Sequence, residues 1–119
     1  MMKKLYIIDD DNDFLDIVSY ILREHYHVKS ATSLNVEDLV KFKPDLILMD
    51  NSVGTDISGG MISRLQSTVP DFDIPVILVS AHHDISSLAD KKGVCGYIQK
   101  PASISHIRKY VREFFEKVA

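Results

Sequence analysis

Four apolar residues, Leu5-Tyr6-Ile7-Ile8, run directly into four carboxylates within five positions: Asp9, Asp10, Asp11 and Asp13. An apolar run this short and without alternation reads as a strand buried on both faces, as in parallel sheets covered by helices. Its end then delivers carboxylates to the C-terminal edge of the sheet, which is where ligands bind in open α/β sheets. Crowded like charges there raise one another's pKa unless a cation or a Lys/Arg partner neutralises them. The pattern therefore predicts a divalent metal at this edge.

The rest of the chain repeats the theme. Leu46 to Met49 is a second unbroken apolar run and ends on Asp50; Val76 to Val79 ends on Ser80; Val94 to Gln99 ends on Lys100-Pro101. Between these strands the spacing turns helical. Phe14, Leu15, Ile17, Val18, Ile21 and Leu22 predict a helix to about Glu24, capped from within Asp11 to Asp13. His27 to Ala31 suits an edge strand. Ser33 or Asn35 is expected to cap a second helix, with Val36, Leu39, Val40 and Phe42 inward and Pro44 marking its end. Residues 51–60, with three glycines among Ser, Thr and Asp, read as a loop. A short helix is expected from about Gly60 to Thr68, and another from a cap at Asp84 through Lys92, closed by Gly93. A last helix runs from roughly Ser103 to Val118, with Ile104, Ile107, Val111, Phe114 and Val118 on one face. Five strands alternating with five helices imply an α/β fold, a doubly wound five-stranded parallel sheet.

In the flavodoxin-like strand order 2-1-3-4-5, the first and third strands flank the crevice and the fourth and fifth lie next along. Asp9, Asp10, Asp50, Ser80 and Lys100 then share one rim. Composition narrows what that rim serves. With 119 residues, one domain over 1–119 is expected. Fourteen basic residues against 17 acidic ones, a net charge of −3, provide no electrostatic reason to expect nucleic acid or an anionic membrane as a partner. Cys95 has no second cysteine to pair with and is expected to pack as a small apolar residue in a reducing, cytoplasmic setting. No apolar run approaches the roughly 20 residues of a membrane helix, and Met1 to Lys4 lacks a signal-peptide core.

The Asp pair at 9 and 10, Asp50, Ser80-Ala81 and Lys100-Pro101, in this order along the whole chain, resemble the receiver domain of two-component response regulators. The resemblance implies phosphorylation of Asp50 by a histidine kinase or phosphotransfer protein, with Mg²⁺ required and Mn²⁺ as a substitute. It makes Asp10, Asp50 and the backbone carbonyl of Ser52 the metal ligands, with Asp9 acting through water. Lys100 would pair with Asp50 at rest and with the phosphoryl group afterwards. Ser80 and Tyr97 resemble the switch pair, Tyr97 being the ring that turns inward on activation. Ser52 and His82 match positions that tune the phosphoryl lifetime. The output surface would be the fourth helix, fifth strand and last helix, contacting a second copy or a downstream protein. A cis Lys100-Pro101 bond is also implied. An Asp is ionised at neutral pH, with a reference pKa of about 3.9, so Asp50 needs no general base. The chain is therefore expected to be a switch rather than an enzyme, although it takes part in its own phosphorylation and dephosphorylation.

The loop after Asp50 departs from the family pattern. Receivers usually place Pro four residues and Gly eight residues after the acceptor; here those positions are Gly54 and Ser58, with Gly59 at nine. A longer loop without the proline is expected to be more mobile at Gly54-Thr55-Asp56. That leaves a second reading, an interaction module of receiver fold that takes no phosphate. A third, an aspartate-nucleophile phosphohydrolase, is disfavoured because Ser52 stands where such families typically carry a second Asp. Asp11 and Asp13 read as helix-capping residues, His82-His83 as a solvated pair, and His25, His27 and His106 as structural or exposed. Of Phe114 and Phe115, one ring is expected in the core and the other at a partner surface.

Overall fold

The computed structural model describes residues 2–50, 52–53, 56–57, 64–65, 67–69, 73–80 and 94–118. Its main sheet contains β1 (Lys4–Ile8), β2 (His27–Ala31), β3 (Leu46–Asp50), β6 (Val76–Ser80) and β7 (Val94–Gln99). The spatial order is β2-β1-β3-β6-β7, and every neighbouring pair in it is parallel. This is the expected 2-1-3-4-5 order once a small hairpin, β4 (Ser52–Val53) against β5 (Asp56–Ile57), is set aside. The hairpin corrects the expectation of a plain loop over 51–60. Two residues per strand leave no alternation to read, so its pairing of Ser52 with Ile57 and Val53 with Asp56 is invisible to pattern.

Strand residues divide by parity, as the pleat requires. Leu5, Ile7, Leu46, Leu48, Ile77 and Val79 pack on one face with Leu15, Val18 and Leu22 of α1 (Asn12–Leu22) and Ile107 and Val111 of α3 (Ile104–Val118). Tyr6, Ile8, Ile47, Met49, Val76 and Leu78 pack on the other with Leu39 of α2 (Val36–Phe42) and Leu65. Both faces of the strands are buried, which is why their sequences read as unbroken apolar runs.

Local chemistry sets the helix ends. Asp11 caps α1, its carboxylate accepting the Phe14 N–H, and Asn35 caps α2 by accepting the Asp38 N–H. Ser103 Oγ accepts the His106 N–H at 3.0 Å as α3 begins. Lys43 closes α2 in the left-handed conformation, φ 53°. Two residues expected inward are not: Ile17 is 53% and Val40 41% exposed. Each neighbours a fully buried residue, Val18 or Leu39, and one residue turns a helix by about 100°, enough to leave the contact stripe. Cys95 is exposed as well, contrary to expectation. It falls between Val94, paired with Val76, and Gly96, paired with Ile77, where the ladder shifts register by a residue. Phe114 and Phe115 are both partly buried against the core, and Phe115 lies 5.5 Å from the Tyr26 ring.

Of the short helix expected over 60–68, Arg64, Leu65, Ser67 and Thr68 are helical. The helix expected over 84–92, its Gly93 cap and His82-His83 lie outside the described residues, as do Gly54 and Thr55. No helix among the described residues is long and apolar enough to cross a membrane.

Candidate functional site at the C-terminal edge of the sheet

Parallel pairing brings the ends of β1 and β3 side by side, with Ile8 opposite Met49, so the residues that follow them meet. Asp9, Asp10 and Asp50 each place a carboxylate oxygen within 4.8 Å of the others. Asp10 is exposed, Asp50 is partly buried, and Asp9 is only 1% exposed. Beneath them Asp9, Asp50, Phe14, Val79 and Ile107 help line a cavity of about 10 Å³. The inner side of the carboxylates therefore faces hydrocarbon.

A buried carboxylate must be paired, because leaving its charge without partners in an apolar setting costs far more than folding can offset. Asp9 is paired through both oxygens. Oδ1 accepts the Asp11 N–H at 3.0 Å, and Oδ2 accepts Lys100 Nζ at 2.8 Å. The same ammonium is 3.9 Å from Asp50 Oδ1 and 4.4 Å from the centre of the Phe14 ring. Lys100 keeps the expected ion pair with Asp50, at 3.9 Å, and adds a shorter one to Asp9, at 2.8 Å. The burial of Asp9 supplies the reason, since the most desolvated carboxylate draws the cation hardest. The Lys100–Pro101 peptide bond is cis, as the resemblance implies.

Ser80 ends β6 opposite Gln99, the residue before Lys100, and so belongs to the same edge. Ser52 opens β4, two residues beyond Asp50. Tyr97, opposite Leu78 on β7, is 41% exposed. His82 lies outside the described residues. The residue that pattern reading passed over is Phe14, assigned only to the apolar face of α1. An aromatic in the first turn of a helix that starts on the acidic rim was the available signal.

Three oxygen donors at this spacing suit a hard divalent cation such as Mg²⁺, which prefers carboxylates and water. With strands and helices so arranged, a carboxylate cluster faces one lysine across a crevice at a topological switch point.

The comparisons with known proteins agree with this geometry. The heme response regulator HssR of Staphylococcus saprophyticus subsp. saprophyticus is 32% identical over 114 residues, covering 89% of this chain and 48% of that protein. The two-component response regulator ARR10 of Arabidopsis thaliana is 30% identical over 112 residues, covering 88% of this chain and 20% of that protein. The chain thus spans a half or less of these relatives. Among solved structures, a CheY-like receiver domain protein from Methanospirillum hungatei superposes with a TM-score of 0.83 at 20% identity, covering 98% of this chain and 96% of that one, which speaks for the fold. The BeF3-activated DrrB receiver domain does so with a TM-score of 0.74 at 26% identity, covering 98% and 99%. The model of the response regulator receiver domain matches residues 5–112, and the chain belongs to that family.

Proposed function

We propose that Asp50 accepts a phosphoryl group from a histidine kinase or phosphotransfer protein, and that this transfer switches a protein-interaction surface. The observation that carries the reading is the convergence of Asp9, Asp10 and Asp50 within 4.8 Å, with Lys100 2.8 Å from the first and 3.9 Å from the last. In the transfer, an Asp50 carboxylate oxygen forms a bond to phosphorus. The bond from phosphorus to the donor's nitrogen or oxygen breaks, and its electron pair leaves with the donor. Most of the catalytic requirement is then positioning and charge stabilisation.

Asp10, Asp50 and the Ser52 carbonyl would hold Mg²⁺, which supplies charge neutralisation at the transferring oxygens. Asp9 acts through water, a role supported by both of its oxygens already being engaged by Asp11 and Lys100. Lys100 lies close enough to reach a phosphoryl oxygen on Asp50 by a small swing of its side chain. Ser80 offers the phosphoryl group a hydroxyl from the neighbouring strand end. Tyr97, exposed in this structure, is the ring that turns inward as the switch is thrown. The surface read by a second copy or a downstream protein is that of residues 84–92, β7 and α3. Ser52 and His82 set the lifetime of the phosphoryl group.

Incubation with acetyl phosphate and Mg²⁺ tests the reading. The expected outcome is a mass gain of one phosphoryl group, abolished by Asp50→Asn and by chelation. An intact protein that gains no mass under these conditions is an interaction module of receiver fold and not a phospho-acceptor.

A further inference from the structure

Phe14 is the third residue of α1 and half-buried, and its ring has a neighbour that core packing does not call for. Lys100 Nζ lies 4.4 Å from the ring centre, inside the range at which the negative face of an aromatic ring attracts an ammonium. The contacts around it form a closed circuit. Asp9 accepts the Asp11 N–H at 3.0 Å, Asp11 accepts the Phe14 N–H at 3.2 Å, the Phe14 ring faces Lys100, and Lys100 donates to Asp9 at 2.8 Å. Asp11, read from sequence as nothing more than a helix cap, is the link that fixes the ring relative to the rim.

We propose that Phe14 is a positioning residue for Lys100: its ring holds the ammonium inside the crevice, on Asp9 and within ion-pair reach of Asp50. The proposal rests on the reading of Asp50 as the phosphoryl acceptor. A lysine carries its charge on a flexible four-carbon stem, and the Lys100 side chain is still 23% exposed, so two other positions are open to it. Swung outward, the ammonium no longer faces the oxygens of an incoming phosphoryl group. Drawn fully onto Asp50, it occupies the lone pairs that attack phosphorus. Both displacements slow transfer, and the ring opposes both. Leucine at this position retains apolar bulk but has no ring quadrupole; tyrosine retains it.

Three proteins, wild type, Phe14→Leu and Phe14→Tyr, are compared in phosphorylation by acetyl phosphate at saturating Mg²⁺. Phe14→Leu is expected to lower the maximal rate about fivefold, the rate equivalent of a partly desolvated ammonium–ring contact. The donor concentration at half-maximal rate stays unchanged, and Phe14→Tyr remains within about twofold of wild type, tyrosine having a comparable ring face. The geometry has its own readout in the metal-free protein. The ring current of Phe14 shifts the Lys100 ε-methylene protons upfield in wild type and Phe14→Tyr, and the shift disappears in Phe14→Leu.

Wild-type ε protons at unfolded-chain positions overturn the proposal, as do Leu and Tyr variants with equal rates while wild type is phosphorylated normally. Those results leave the acceptor reading standing. A wild type that takes up no phosphoryl group although the ring-current shift is present sinks the acceptor reading, and the positioning role in transfer with it.

Discussion

Replacing Tyr6 by Phe removes one hydroxyl from the largest fully buried side chain of the protein's described core. That hydroxyl donates to Asp38 Oδ2 at 3.1 Å, and the other oxygen of Asp38 accepts Lys29 Nζ at 2.6 Å, so α2, β1 and β2 are tied at one point. A hydrogen bond to a charged group contributes about 1.5–3 kcal/mol when buried. The Asp38 side chain is 33% exposed, so water replaces part of the lost bond and the expected cost at pH 8 falls to about 1 kcal/mol.

The pH dependence is the sharper test. Burial, then the hydrogen bond to Asp38, then that carboxylate's charge hold the Tyr6 phenol up at about 12, against 10.0 when free. The unfolded chain loses this proton first, so the contribution is whole below pH 10 and drains away as pH rises to about 12. The full interval is worth about 2.7 kcal/mol, and half of it, about 1.4 kcal/mol, is gone by pH 11. Tyr6→Phe has no such proton. Burial also raises the phenols of Tyr26 and Tyr110, but both variants share them and they cancel in the difference. Urea unfolding of both proteins at pH 8 and pH 11 should therefore show wild type ahead by about 1 kcal/mol at pH 8 and level or behind at pH 11. A gap of the same size at both pH values would refute the reasoning.

Two further expectations concern packing. A Cβ on Gly96 would overlap Tyr110 Oη, so Gly96→Ala should cost about 1–3 kcal/mol in urea unfolding and measurably less in a Tyr110→Phe background; equal costs in both backgrounds would show that the hydroxyl is not the obstacle. Leu15→Ala should cost about 2–5 kcal/mol, whereas Ile17→Ala, two residues on but 53% exposed, should stay within about 0.5 kcal/mol, and thermal melts of the pair with similar losses would contradict the assigned helix face.

Much of the fold was legible because strands covered on both sides must be apolar at every position. Leu5 to Ile8, Leu46 to Met49 and Val76 to Val79 announce themselves without any partner being known, and parallel pairing then sends Asp9, Asp10, Asp50, Ser80 and Lys100 to one edge. Periodicity was less decisive for the helices. It marked Ile17 and Val40 as inward, because an apolar residue beside the stripe looks the same in sequence as one within it; only the docked helix shows which edge of the stripe meets the sheet. The hairpin β4-β5 and the shifted register at Cys95 are set by a few backbone hydrogen bonds, which leave no trace in a pattern of residue types.

The amino-acid sequence by itself determined the class of the fold and which charged groups would meet, since both follow from hydrophobic burial and the polarity of parallel strands. Tertiary structure alone decided how those groups share their charges. Lys100 pairs with both Asp9 and Asp50 but sits about an ångström closer to Asp9, 2.8 Å against 3.9 Å. That difference is governed by the near-complete burial of Asp9 and the place of the Phe14 ring, and neither exists until α1 has packed against the sheet.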